Sequence, residues 1–241
     1  MNGTKVFDKI AINELKSQSD ILADKIKKMI VSQELAEGYQ FPNENDFCRI
    51  LNVGRGTLRE AYKILDTQGY LKRTKHGTFV RKKEDVAREG NFLASLELAD
   101  YDELAEFICA MEPEAVYLAT KRMTGEEFQQ IEKLAKECKK RYQEGQRLSE
   151  INHQFHSAIW NVCGNQLIIS SLMAYYDTFH QRVLQPVYAD EVHYDKFIQE
   201  ALTQHDELMD ALRKKDADTA RKVSYEHLLA DLKYRKFLKN Y

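Results

Sequence analysis

Among the 241 residues, the forty from Phe41 to Val80 constrain the fold most: FPNENDFCRILNVGRGTLREAYKILDTQGYLKRTKHGTFV. Pro42 suits the first position of a helix, where its missing N–H leaves no bond unmade. Asn43 to Leu51 then carries Phe47, Ile50 and Leu51 on one face. Asn52 and Gly54 interrupt it. From Arg55 to Gln68, Leu58, Ala61, Tyr62 and Leu65 recur at helical spacing, leaving Arg55, Thr57, Arg59 and Lys63 on or near the opposite side. Gly69 stops this second helix, and Tyr70 to Thr74 and Thr78 to Lys82 read as short strands around a Lys75-His76-Gly77 loop. A basic stripe on a short helix behind a tight turn is a shape the major groove accepts, and the hairpin beside it reads as a wing. The stretch predicts a winged helix-turn-helix. A merely solvated amphipathic helix would not explain the order and spacing of all four pieces.

Those pieces are Pro42-x-Glu44, Val53-x-Arg55, Leu58-Arg59-Glu60-Ala61 and Gly77-Thr78-Phe79-Val80. Together they resemble the signature of the GntR family of bacterial transcription regulators. The resemblance implies operator contacts from Asn45, Arg55, Thr57 and Arg59, and from the wing tip at His76 and Gly77, with Lys75 beside them. Asn45 stands where many relatives carry Arg, and Gly54 where they carry Ser or Thr.

Charge divides the chain in the same way. Residues 1–83 hold 16 Lys+Arg against 10 Asp+Glu, leaving 20 against 28 for the remainder, so a net charge of -2 conceals a basic module joined to an acidic one. The first can neutralise phosphates and gain from counterion release; the second suits protein contacts or cation binding. No uninterrupted apolar run exceeds about five residues, too few to span a bilayer, and MNGTKVFDKI lacks a signal-peptide core. A cytoplasmic protein with no membrane partner is expected. Cys48, Cys109, Cys138 and Cys163 stand apart from one another within helical apolar patterns, which predicts reduced, buried thiols.

Ser19 to Leu35 reads as a helix capped by Ser19, closing a three-helix core with the two above. A charged linker is expected at roughly 81 to 90, leading toward a first helix through Leu98. Beyond it, helical periodicity recurs near 101–123, 125–144, 148–163, 165–185, 191–214 and 216–239. The expected fold is mainly α: an N-terminal winged helix-turn-helix over 1–83, with three helices and a β-hairpin wing, joined to an all-α bundle of six or seven helices over 84–241. Pro113 removes one helical hydrogen bond, so a kink or break is expected near Glu112.

Histidines in the second module suggest a site. Asn152 and His156 are four residues apart, so both project from one helical face beside Phe155. His205 and His227 lie on successive helices, where antiparallel packing can set them level. Three neutral imidazoles and an amide oxygen make a credible divalent-metal site; buried histidines satisfying one another or backbone carbonyls would show the same spacing. His153 and His193 read as solvated. Arg182, with His180 and several aromatics, sits on the helix before Pro186.

Asn152-x-x-Phe155-His156, His205, His227 and the Glu-Pro-Glu-Ala step from Glu112 to Ala115 resemble the FadR C-terminal (FCD) domain, the helical effector domain of one GntR branch. That resemblance implies a divalent ion (zinc, nickel or manganese) at Asn152, His156, His205 and His227 and an effector pocket lined by the helix of Glu112. Four neutral ligands would leave the ion's charge uncompensated, which favours a small carboxylate effector, with Arg182 a candidate cation. Asn152 replaces the family's Asp, and Ile108 an Arg that often reaches the effector. The resulting expectation is a homodimeric, metabolite-responsive regulator, a repressor in most of this branch, on a two-fold double-stranded operator. A helical domain that only dimerises is the alternative; a metal enzyme lacks a recognisable base or nucleophile motif.

Overall fold

The structure is a computed structural model and describes residues 16–179 and 194–238. The chain divides into two compact units between Leu98 and Ala99.

Three helices and a hairpin build the first unit. Helix α1 (Gln18–Val31) starts on a capping box: the Ser17 side chain accepts from the Asp20 N–H while the Asp20 carboxylate accepts from the Ser17 N–H. The cap is thus Ser17, not Ser19. The helix also ends four residues earlier than its apolar pattern suggests, because Gln33 enters the left-handed region at φ 62° and the Leu35 N–H reaches back to the Met29 carbonyl. Helix α2 (Glu44–Leu51) is capped by Asn43, whose side chain accepts from the Asp46 N–H, so Pro42 precedes the helix rather than opening it. Asn52, left-handed at φ 51°, turns the chain into α3 (Arg55–Thr67). Gly54 sits at the cap of α3 without a side-chain hydrogen bond.

Leu58, Ala61, Tyr62 and Leu65 of α3 are fully buried against Leu22, Ala23, Ile26 and Ile30 of α1. Phe41, Phe47 and Tyr62 pack their rings over the α2–α3 junction. Strands β1 (Leu71–Thr74) and β2 (Gly77–Val80) pair antiparallel, with Leu71 opposite Val80 and Thr74 opposite Gly77. They are shorter than their sequence pattern, and β2 gains a bridge from Gln40 to Phe79 on its other edge.

The expected linker holds a short helix, α4 (Lys83–Arg88), and the helix expected through Leu98 is α5 (Phe92–Leu98); both belong to the first unit. Val86 and Ala94 enter its core. Arg81 donates from Nε to the Leu71 carbonyl at 2.7 Å and pairs with both Asp66 and Glu89. Asn91 donates to the Gln68 carbonyl at 2.6 Å, across Gly69, where a Cβ would lie 2.7 Å from the Asn91 amide nitrogen and φ is +87°. Glu97 accepts from Lys27 at 2.7 Å and from the Tyr70 hydroxyl at 2.6 Å. These bonds move the structural boundary from the expected 83/84 to 98/99, since the sequence shows charge in this segment but not its partners.

The second unit is helical throughout its described residues: α6 (Tyr101–Arg122), α7 (Gly125–Gln143), α8 (Ser149–Val162), α9 (Gln166–Phe179), α10 (Tyr194–Arg213) and α11 (Ala217–Leu238). Capping boxes open α6 (Asp100 with Glu103) and α7 (Thr124 with Glu127). Helix α6 packs against α8, α9 and α11 and runs without a break through Pro113, so of the expected kink or break the break does not occur. One missing backbone bond is outweighed there by burial of Ile108, Glu112, Ala115, Val116 and Ala119. All four cysteines are free: Cys138 and Cys163 are buried, Cys48 and Cys109 half-buried. Burial pushes the Cys138 thiol up to about 12. No helix among the described residues is long and apolar enough to cross a membrane.

Candidate functional site

On the first unit, the buried stripe of α3 dictates what faces outward. With Leu58, Ala61 and Leu65 turned inward, Arg55, Arg59 and Lys63 are exposed and Thr57 is half-buried. Asn45 is exposed on α2, as are Lys75 and His76 at the wing tip, with Gly77 half-buried. Glu44 joins these elements: its carboxylate takes Arg59 Nε at 2.7 Å and Arg73 at 3.1 Å, tying α2 to α3 and β1. The wing turn is shaped by Thr74, whose hydroxyl accepts from the His76 N–H at 3.1 Å and donates to the Gly77 carbonyl at 3.2 Å. Gln40 donates to the His76 carbonyl at 3.1 Å. Arg73 and Gln40 carry no distinguishing pattern in the sequence, and Glu44 stands out there only as part of the Pro42-x-Glu44 step, not as a partner of Arg59 and Arg73. Arg73 is exposed although it shares a strand face with buried Leu71, and its partner emerges only when α2 folds alongside.

In the second unit, α8, α10 and α11 bring His156, His205 and His227 together, with one ligand nitrogen from each lying within 4.8 Å of the others. Their exposures are 8%, 3% and 4%, so the cluster is closed to bulk water. His156 Nδ1 lies 2.9 Å from Glu112 Oε1, and His227 Nδ1 lies 2.8 Å from Gln204 Oε1. His205, packed on Phe155 at a ring separation of 4.5 Å, has no hydrogen-bond partner on either nitrogen. Asn152 is half-buried one turn before His156 on α8. His180, Arg182 and His193 lie outside the described residues. His153, expected to be solvated, is half-buried and stacked on Tyr176 at 3.4 Å between ring centroids.

This cluster fits a divalent metal. Nitrogens about 2.1 Å from one ion lie at most about 4.2 Å apart, so a small inward turn of the rings closes the set. Two histidines are already braced through Nδ1, and the third buries two nitrogens that have no hydrogen-bond partner among the described residues.

Burial is also the main force on His205 protonation, with the neighbouring His227, His156 and Lys139 adding to it; together they hold His205 well below its ordinary value of 6.5. A depressed folded value means that the unfolded chain binds the proton first. Stability is therefore complete above pH 6.5 and is lost as pH falls below it, at up to about 1.4 kcal/mol per unit. Urea midpoints of metal-free protein at pH 7.5 and 5.5 should show this slope, and His205→Leu should reduce it. An unchanged slope in that variant would assign the effect elsewhere.

A winged helix-turn-helix and a helical domain with a buried histidine cluster are carried on one chain. Residues 18–80 match the bacterial regulatory proteins of the gntR family, and residues 103–230 match the FCD domain. The chain belongs to the GntR family, in the branch that carries an FCD domain, and is a DNA-binding transcription regulator rather than an enzyme. It is 27% identical over 220 residues to the "Putative L-lactate dehydrogenase operon regulatory protein" of Escherichia coli (strain K12), covering 87% of this chain and 83% of that protein. With the "HTH-type transcriptional repressor NanR" of Cronobacter sakazakii it shares 23% over 224 residues, covering 88% and 83%. Among solved structures, Lar of Listeria monocytogenes matches with a TM-score of 0.61 at 14% identity, covering 94% of this chain and 100% of that one. E. coli McbR/YncC matches at 0.53 and 17%, covering 93% and 100%. Both show the fold.

Proposed function

We propose that the protein is a dimeric, metabolite-responsive repressor in which His156, His205 and His227, with Asn152, hold a divalent ion beside the effector. The buried three-histidine cluster carries this reading, because each ring comes from a different helix and a bound ligand there would bear on the whole bundle. Three imidazoles suit zinc or nickel better than manganese. When bound, the ion supplies a positive centre that favours a small carboxylate. The E. coli relative named for an L-lactate dehydrogenase operon fits an effector of that class, and the relative named as a repressor fits the sign of control. On DNA, each recognition helix α3 would enter a major groove of a two-fold operator through Arg55, Thr57 and Arg59, with Asn45 of α2 beside it and Lys75, His76 and Gly77 at the adjacent minor groove.

The test is a panel of small carboxylates titrated calorimetrically into zinc-loaded and metal-free protein, with Asn152→Asp alongside. Asn152→Asp should tighten zinc and loosen the carboxylate, because a second anion then competes for the same positive centre. Effector and operator should weaken each other by one common factor, about 5- to 150-fold. Equal effector affinity in metal-free protein would remove the ion from sensing. Absence of any coupling would favour a helical domain that only dimerises.

A further inference from the structure

Metal affinity depends on the groups behind the ligands as well as on the ligands. Glu112, 4% exposed on α6, places Oε1 2.9 Å from His156 Nδ1, and Gln204 on α10 places its Oε1 2.8 Å from His227 Nδ1. A carboxylate oxygen and an amide oxygen can only accept in these contacts, so both imidazoles donate from Nδ1. In that tautomer the lone pair of each ring lies on Nε2. His205 has no such brace. Resting on the metal-binding reading above, we propose that Glu112 is a positioning residue: it fixes His156 in the Nδ1–H tautomer and strengthens its Nε2 as a donor. Gln204 does the same for His227 without adding charge.

Each brace fixes its ring against a separate helix: Glu112 of α6 holds His156 of α8, and Gln204 of α10 holds His227 of α11. Charge makes Glu112 the more consequential of the two. It brings a carboxylate to a site whose proposed ligands are all neutral, and a carboxylate bonded to a ligating imidazole raises that ligand's basicity. The expected involvement of Glu112 with the effector is thereby redirected. Its described partner is the histidine, and a mutation there would reach the effector through the metal.

The two effects separate by substitution. Glu112→Gln keeps an accepting oxygen and so keeps the tautomer, but removes the charge; Glu112→Ala removes both. Competition titrations with cobalt and zinc should show affinity reduced about 10-fold in Glu112→Gln and up to about 100-fold in Glu112→Ala. Long-range nitrogen–proton NMR of metal-free protein should show His156 protonated on Nδ1 in the parent and in Glu112→Gln, but mixed with the Nε2–H form in Glu112→Ala. A merely structural role for Glu112 would not produce that tautomer signature. Parent protein that binds cobalt while Glu112→Ala binds it equally well, or a parent His156 protonated on Nε2, would overturn the positioning role and leave the metal reading intact. Parent protein that binds neither ion would overturn both. Should Glu112→Ala not fold, Glu112→Gln decides on affinity and the parent spectrum on tautomer: undiminished affinity or the wrong tautomer rejects the role.

Discussion

His205→Ala is expected to lower divalent-metal affinity by at least about 100-fold, since losing even a brace behind a ligand costs 10- to 100-fold. The same substitution should change metal-free stability little. It opens a cavity beside Phe155 but also removes two buried nitrogens without partners, and these terms are of similar size and opposite sign. The clearest readout is therefore the gain on adding metal. At zinc one hundred times its Kd, the parent should gain about 2.7 kcal/mol, a melting shift of roughly 5–11 °C for a chain of this size. The variant should gain at most about 0.4 kcal/mol. A parent with no shift, or a variant with the parental shift, would show that the histidines merely satisfy the core.

Arg59→Ala is expected to weaken operator binding by about 1–3 kcal/mol and to relax preference at the bases it reads. Folding should be nearly unaffected, because Arg59 is solvent-exposed and its pair with Glu44 belongs to a class worth about 0–1 kcal/mol. The structure adds a condition that the spacing could not. In the free protein, Glu44 holds both Arg59 and Arg73, so reaching a base requires Arg59 to leave or share that carboxylate. Glu44→Ala should accordingly raise affinity for random DNA while narrowing the gap between operator and random sequence. Fluorescence anisotropy at fixed salt, with random competitor, measures both. Unchanged operator preference in Arg59→Ala would move sequence reading to another element.

Legibility differed between the two halves for a physical reason. In the first, Leu58, Ala61, Tyr62 and Leu65 state the buried face of α3, and the exposed arginines follow from it without knowledge of any other residue. The histidine cluster is different. Its members are up to 71 positions apart, and their approach depends on how α8, α10 and α11 pack, so the spacing left a satisfied core open as an alternative. The FCD resemblance indicated which histidines to join but not Gln204, a glutamine with no distinguishing pattern around it.

By itself, the sequence determined what local interactions and periodicity can encode: the winged helix, the succession of helices and the charge difference between the two modules. Only the tertiary structure decided where long-range partners meet. It placed α4 and α5 in the first unit through Arg81, Asn91 and Glu97, carried α6 through Pro113 on the strength of its packing, and set Glu112 behind His156. A hydrogen bond between residues 44 positions apart leaves no trace in local propensity. Its energy is realised only once the intervening helices have folded and excluded water from both partners.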